Sequence, residues 1–238
     1  ESDVNIPAAE TMCRNFLLGN QYFLDKFGKT GVDVLLPDCF GFSFSLPTIA
    51  YHFGLRGFST QKFDTWGGTW DHWGDGGIVP YGKSIMKWTG PDGNYLYAAM
   101  KPGGYMGCYD VVAEQGDAMQ SRTGMWLTYD YYGRGDDGGA PDEGCVQTLC
   151  NLPNQQVNGV YCIPAGSDQL FRDLDSLAKA GHAGPGQLFN YDGELLAATH
   201  GVGCYTAHAR IKKLFRDMER SGLAAEPAAV MANTLAGT

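Results

Sequence analysis

The chain has 238 residues, of which 44% are hydrophobic and 18% charged, and a formal net charge of −9. This composition is typical of one folded domain with a sizeable apolar core, and it argues against intrinsic disorder. The acidic balance disfavours nucleic acid and anionic membrane surfaces as partners, because no basic stripe is available to neutralise phosphate. No run of 18 apolar residues occurs, so we expect no membrane-spanning helix.

The first predicted elements are a helix and a buried strand. Residues 8–27 carry apolar side chains at helical spacing and stop at Gly28, which predicts a helix. The apolar run 32–36 indicates a parallel strand, and Pro37 ends it because proline cannot donate to a sheet ladder. Asp38 is therefore expected just past the carboxyl end of a strand, where parallel α/β folds place their chemistry.

A second helix and strand complete a βαβ unit. Residues 45–54 predict a short helix with Ser45 as its N-cap, and residues 58–62 predict the next strand, which ends in Lys62. In a parallel sheet Lys62 would lie close enough to Asp38 to keep the carboxylate ionised or to bind a sugar hydroxyl. A plain surface lysine is an equally good interpretation.

The middle of the chain combines a long loop with a hairpin. Residues 63–82 are rich in Trp, Gly and Asp without periodicity, which predicts a long loop, and its four aromatic side chains favour a functional one. Residues 84–88 and 95–100 alternate around a Gly-Pro-Asp-Gly turn, which predicts a β-hairpin.

An apolar, aromatic run at 125–132 predicts another strand, followed by the glycine-rich segment 133–139 that contains Asp136 and Asp137. This segment lacks the Lys-Ser/Thr pair of a P-loop and the spacing of a dinucleotide-binding fold, which disfavours a nucleotide site. The remaining predicted elements are helices at 109–122, 142–152, 167–180 and 205–225 and strands at 159–163 and 194–199. Alternating helices and strands predict an α/β fold.

The carboxylates that follow apolar strands suggest a chemistry. Asp38 and the Asp136/Asp137 pair would meet at one rim of the sheet, and retaining glycoside hydrolysis needs a nucleophile and a general acid there, about 5–5.5 Å apart. The competing interpretation is that these residues only close turns, since Asp is common before Gly in loops. The residue pattern alone leaves both interpretations open.

Histidine and cysteine spacing gives little sign of a metal site. The five histidines lack HxH or HExxH spacing, and the seven cysteines lack CxxC spacing, so free buried thiols are the simplest interpretation. His52 is expected in the core and His208 on the exposed side of a helix. Only His200 follows a predicted strand in the position of a site residue.

Four ordered motifs resemble glycoside hydrolase family 38, the α-mannosidases. Residues 36–43 (LPDCFGFS) resemble the family's nucleophile motif, and residues 57–62 (GFSTQK) follow it as they do in the family. Residues 131–141 (YYGRGDDGGAP) are similar to the acid loop of bacterial members. Residues 191–196 (YDGELL), residues 199–206 (THGVGCYT) and the basic helix after them resemble the end of the same catalytic domain.

The resemblance implies a role for each matching residue. Asp38 would be the nucleophile and one ligand of a catalytic Zn²⁺, and Phe40 would stack on the sugar at the −1 position. Asp136 would be the general acid/base, with Asp137 as the alternative. Substrate contacts would come from Lys62, Phe40, Asp137 and His200.

The resemblance also implies that residues 1–238 lack some of the zinc ligands of family members. Family members begin with a strand that carries a His-x-Asp pair of zinc ligands, and a further His ligand comes from a later helical segment. Neither occurs here, and a lone carboxylate does not hold Zn²⁺ tightly. We therefore expect residues 1–238 to be part of a single catalytic α/β domain, an incomplete (β/α) barrel-like fold with a mostly parallel sheet that binds no zinc alone and is inactive alone.

The sequence thus predicts a retaining, zinc-dependent α-mannosidase that acts on an α-mannoside or a mannose-containing glycan. Two alternatives stay open: a carbohydrate-binding or catalytically degenerate module of the same fold, and a glycosidase for another sugar.

Overall fold

The computed structural model describes residues 3–61, 85–100, 113–133, 139–152, 156–157, 160–196 and 203–237. Within these ranges the strands are β1 Asp33–Leu35, β2 Gly41–Phe42, β3 Gly57–Ser59, β4 Ile85–Thr89, β5 Tyr95–Ala99, β6 Gln156–Val157, β7 Val160–Tyr161, β8 Asn190–Asp192 and β9 Leu195–Leu196. The helices are α1 Ala9–Phe27, α2 Leu46–His52, α3 Ala113–Thr123, α4 Glu143–Asn151, α5 Gln169–Lys179 and α6 Ala209–Ala236, with a 3₁₀ turn at Gly184–Gln187.

The centre of the molecule is a five-stranded sheet in the order β1-β3-β5-β4-β8. The pairings β1–β3, β3–β5 and β4–β8 are parallel, and the hairpin β4–β5 is antiparallel. The predicted hairpin and the predicted α/β class with a mostly parallel sheet are therefore confirmed. The barrel-like closure stays a prediction, because the described strands form only part of the chain.

The βαβ unit predicted from the sequence is present as β1, α2 and β3. Val34 lies opposite Phe58 in the parallel register of the two strands. Helix α2 covers the sheet with Leu46 and Ala50, which are fully buried. Strand β3 ends at Ser59, whereas the sequence predicted a strand over residues 58–62, although the Thr60 N–H still donates to Ala99 O of β5 at 3.2 Å.

Apolar clusters cover both faces of the sheet, which gives three layers. One cluster joins Phe42, Phe58 and Trp88 to buried residues of α1 and α2. The other joins Tyr97 of β5 to α3 and to α5, whose Phe171 is fully buried.

Two sequence predictions for secondary structure are wrong, and a third, Ser45 as the N-cap of α2, is right in position but not in its bonding. Residues 125–132 form no strand, because their apolar side chains pack onto the α5 face of the sheet and add nothing to its ladder. Helix α6 begins four residues later than predicted and extends to Ala236 through Pro227. Ser45 makes no capping bond with its side chain, and its own N–H is bound by Ser43 Oγ at 3.2 Å.

Histidine and cysteine environments also differ from the predictions. His52 is exposed, and its Nε2 lies 2.9 Å from Asp92 Oδ2, so it is not a core residue. His208 is exposed as predicted. Cys150 and Cys204 are free but exposed, whereas Cys145 is buried and disulfide-bonded, so the prediction of free buried thiols is wrong for these residues.

None of the helices in the described ranges combines the length and the apolar character that crossing a membrane requires. The predicted loop at 63–82 lies outside the described residues.

Candidate active site

Asp38 lies one residue beyond the point where the first strand leaves the sheet. Leu36 still donates its N–H to Ser59 O at 2.9 Å, so the β1–β3 ladder continues to Leu36. Pro37 has no N–H and can only accept, which it does from the Gln61 N–H at 3.4 Å. Asp38 is exposed, at the carboxyl end of a parallel strand, as predicted.

A cavity of about 420 Å³ opens beside this carboxylate. Asp38 and Phe40, two of the predicted site residues, both line it. The opposite wall comes from parts of the chain distant in sequence. The complete set of lining residues is Asp3, Ile6, Leu36, Asp38, Cys39, Phe40, Cys204, Tyr205 and Lys212.

Gly41 is the point at which three chain segments hold the Asp38 loop. Its φ of 140° lies in a region that L-residues with a side chain rarely adopt. A Cβ at this position would lie 3.3 Å from Leu195 O and 3.4 Å from Asn5 Nδ2. Strand β9 pairs antiparallel with β2 across this glycine. Only glycine therefore fits without strain.

Two polar side chains fix the loop further. Asn5 Nδ2 donates to Gly41 O at 2.7 Å, and the Phe40 N–H donates to Tyr205 Oη at 3.3 Å. Burial, followed by the nearby Asp3 charge, raises the pKa of Tyr205 above its usual value. The phenol therefore stays protonated near neutral pH and keeps its polar hydrogen.

Lys212, which no sequence motif singled out, supplies a cation to the same cavity. Its Nζ donates to Cys204 O at 2.6 Å and to Ala207 O. These bonds hold the ammonium group against the turn that precedes α6. His208 in this turn adopts a left-handed backbone conformation with φ 51°. The short turn 203–208, which contains Tyr205, thus forms one wall of the cavity.

The segment that leads to the predicted acid is anchored against the first strands. The aromatic rings of Tyr129 and Tyr131 pack edge to face, with centroids 5.3 Å apart. Burial raises the pKa of Tyr131 to about 12, and the neighbouring Asp33 charge of β1 acts in the same direction. Burial also raises the pKa of Asp33. Tyr129 and Tyr131, which precede Asp136 in the sequence, therefore lie within electrostatic range of Asp33 in β1.

The ends of the glycine-rich segment approach one another. Gly133 has φ 121°, and a Cβ there would lie 3.5 Å from Pro141 Cγ. Asp136, Asp137, Lys62 and His200 themselves lie outside the described residues. Their predicted placement at the cavity stays a prediction.

Sequence reasoning missed Asn5, Tyr205 and Lys212. The only signal for Tyr205 was its place in the motif 199–206, and nothing in the sequence indicated that residues 3–8 would return to the Asp38 loop. Contacts between residues more than 160 positions apart have no local pattern from which they can be derived.

The donor chemistry around Asp38 does not complete a zinc site. Structural and catalytic zinc sites use at least three protein ligands from Cys, His, Asp and Glu. In the described part of the chain, no group of three such residues is arranged to hold a metal ion. Asp38 alone fits the predicted ligand set.

Comparisons with known proteins agree with the geometry. The family described as "Glycosyl hydrolases family 38 N-terminal domain" matches residues 1–191. Human "Alpha-mannosidase 2C1" is 34% identical over 228 residues, which cover 92% of this chain and 20% of the human protein. The "Alpha-mannosidase" of Saccharomyces cerevisiae is 32% identical over 231 residues, 91% of this chain and 19% of the yeast protein.

A solved structure shares the fold. The crystal structure of an α-mannosidase from Enterococcus faecalis V583 superposes with a TM-score of 0.51 and 17% identity, over 81% of this chain and 21% of that chain. This chain spans about a fifth of the length of the curated relatives that it matches. The family match over most of the chain, with Asp38 in its motif at the cavity, shows that this chain belongs to glycosyl hydrolase family 38 and carries its N-terminal domain.

Proposed function

We propose that the complete protein is a retaining α-mannosidase in which Asp38 is the nucleophile. The observation that carries this proposal is the position of Asp38 in a family 38 chain: past the carboxyl end of β1, exposed, and at the rim of the cavity. The substrate is an α-mannoside or a mannose-containing glycan. The names of the relatives indicate that the sugar is mannose, and the carboxylate of Asp38 is the group proposed as the nucleophile.

In the proposed reaction, Asp38 attacks the anomeric carbon while Asp136 donates a proton to the leaving oxygen. The glycosidic C–O bond breaks and an ester forms between the sugar and Asp38. Asp136, now a carboxylate, takes a proton from water, whose oxygen attacks the same carbon and releases Asp38. Two inversions at one carbon retain the α configuration.

The cavity wall suits binding of a sugar ring. Phe40 offers an apolar face on which a pyranose can stack, while Lys62, Asp137 and His200 are proposed to contact hydroxyls. Phe40 lies in the loop that Asn5 and Tyr205 hold, so its backbone is fixed relative to Asp38.

We also propose that the complete protein binds one Zn²⁺ through Asp38 and further ligands outside these 238 residues. Bound zinc would orient ring hydroxyls as a template and a Lewis acid. Elemental analysis tests this proposal: about one zinc per complete protein is expected, and none in the 238-residue chain. Stoichiometric zinc in the isolated chain, or activity of that chain, would contradict it.

The central experiment is to express the complete reading frame and assay an aryl α-mannoside with and without a chelator. Asp38→Asn should lower kcat by about 10⁴-fold, because the nucleophile is lost. Asp25→Asn is a matched control on the exposed end of α1 and should leave kcat unchanged. Activity that survives Asp38→Asn would overturn the mechanism, and mannoside binding without turnover by the wild type would favour the carbohydrate-binding module.

A second assay separates the two candidate acids. A substrate with a very acidic aryl leaving group needs little protonation, whereas a simple alkyl mannoside needs a proton donor. Asp136→Asn should therefore lose most activity on the alkyl mannoside and much less on the activated aryl mannoside. The same pattern for Asp137→Asn, without it for Asp136→Asn, would exchange the two roles.

A further inference from the structure

We infer that Tyr205 is a positioning residue, which fixes the loop 38–41 through its hydroxyl so that Asp38 is held at the cavity. This inference rests on the proposed function for its catalytic consequence. The contact that carries it is the hydrogen bond from the Phe40 N–H to Tyr205 Oη at 3.3 Å. The same hydroxyl lies 3.5 Å from Gly41 O.

The loop 38–41 joins two short strands, β1 and β2. It follows a strand that ends at Pro37 and precedes β2, which has only two residues. The two-residue ladder to β9 pairs Gly41 with Leu196 and Phe42 with Leu195. The hydroxyl of Tyr205 accepts a hydrogen bond from the backbone amide of Phe40, which lies between Asp38 and this ladder.

Tyr205 is itself held in place. It lies in the turn 203–208, where the Thr206 N–H and the Ala207 N–H both donate to Gly203 O. Lys212 from the first turn of α6 adds a bond to Cys204 O, next to Tyr205. Asn5 reaches the same point from the N-terminal segment and donates to Gly41 O at 2.7 Å. A hydrogen-bonding side chain can hold a loop in place only if its own backbone is fixed. The bonds within the turn and from Lys212 fix the backbone around Tyr205.

Positioning matters because small displacements of a nucleophile have large kinetic effects. A shift of about 1 Å can cost roughly 100-fold in rate, whereas binding of the remote parts of the substrate is unaffected. Loss of the hydroxyl should therefore lower kcat more than it raises KM. A residue that bound the sugar equally well in the ground state and the transition state would instead change KM.

The test uses Tyr205→Phe in the complete protein, which removes only the hydroxyl. We expect kcat to fall about tenfold and KM to change by less than about twofold. Hydrogen exchange at the Phe40 amide should become about three- to tenfold faster, while amides of β3 keep their protection. Tyr161→Phe, at an exposed tyrosine of β7, is the matched control and should change neither quantity.

A second variant approaches the loop from the other side. Asn5→Asp replaces the amide donor with a carboxylate oxygen beside Gly41 O, and it should speed exchange in residues 38–41 in the same way. Unchanged exchange at Phe40 in Tyr205→Phe would overturn the inference, as would faster exchange with unchanged kcat in an active enzyme. If the wild type hydrolyses no mannoside, the proposed function fails, while the exchange measurement still decides whether Tyr205 fixes the loop.

Discussion

Asp38 and Glu219 are carboxylates in two regions of the molecule with opposite surroundings. Asp38 is exposed at the rim of the cavity. Glu219 of α6 has a side chain that is only 5% exposed, at the junction with α1. It accepts hydrogen bonds from the Ala8 N–H at 2.7 Å, from the Thr11 hydroxyl at 2.5 Å and from Arg216 Nη1 at 2.6 Å.

The difference shows what separates a structural carboxylate from a candidate catalytic one. A carboxylate has about four acceptor positions, and Glu219 uses three of them within the protein. It therefore has little capacity left for a ligand. Asp38 lies where solvent and a substrate can reach it, as a nucleophile must.

The two regions are nevertheless connected through the N-terminal segment. Arg216, the partner of Glu219, also donates from Nη2 to Ile6 O at 2.5 Å. Ile6 and Asp3 line the cavity beside Asp38. The buried contacts at Glu219 thus support one wall of the candidate active site.

The roles of the Asp38 and Glu219 regions are distinguished most clearly by measuring both stability and activity in the same variants. Asp38→Asn should lose about 10⁴-fold in kcat while the free energy of unfolding stays within about 0.5 kcal/mol of the wild type, since its side chain is exposed. Urea denaturation of both proteins checks the second half of this prediction. A clear loss of stability would mean that Asp38 holds the loop as well as serving the reaction.

Glu219→Gln should show the reverse pattern. The amide group removes a buried charge and turns one acceptor into a donor that faces other donors, so we expect a loss of about 3 kcal/mol in the free energy of unfolding. Glu226→Gln is the matched control on the same helix. Glu226 pairs with Arg14 at the surface, and its loss should cost far less. Equal losses in the two variants would refute the contrast.

The regions also differ in how far the sequence predicted them. The β1 strand, Pro37 and Asp38 could be placed from sequence because a local apolar run and a proline determine where the strand ends. Phe40 followed from the resemblance, and it lines the same cavity as Asp38, while its role in stacking on a sugar stays a prediction. The contacts of Glu219 with Thr11 and Ala8 could not be predicted, because these partners lie 208 and 211 residues away along the chain.

Failures of the secondary-structure predictions have the same origin. Residues 125–132 have the composition of a strand, but the α5 face of the sheet takes up their apolar side chains. His52 lies among apolar residues in sequence, yet on α2 it points to the exposed side and meets Asp92 from the β4–β5 hairpin turn. Tertiary contacts decided both outcomes, and local composition does not contain them.

Gly41 offers a smaller perturbation of the active-site region. Gly41→Ala should cost about 1–3 kcal/mol, since φ 140° is unfavourable for alanine and the new methyl group would press on Leu195 O. The candidate enzyme should also lose kcat, because the Asp38 loop must shift. Gly31→Ala is the control: its Cβ would make only an ordinary contact of 3.8 Å, and its stability should stay near that of the wild type. An equal effect at both glycines would show that the Gly41 contacts do not hold the loop.

The smallest expected effect is the pH dependence of the Glu219 contribution. The hydrogen bond from the Thr11 hydroxyl, with those from Ala8 and Arg216, holds the pKa of Glu219 below its usual value. A carboxyl group with a depressed folded-state pKa stabilises the fold above its unfolded pKa of about 4.3, and this contribution is lost as the pH falls through the lower folded value.

The stability difference between wild type and Glu219→Gln should therefore be largest at pH 7 and shrink below about pH 4. Urea denaturation at a series of pH values measures it. Thr11→Val, which removes the first of the three donors and keeps the shape of the side chain, should weaken this acid dependence without abolishing it. A difference that stayed constant with pH would mean that Glu219 contributes through packing alone, and its contrast with Asp38 would then be one of burial and not of charge.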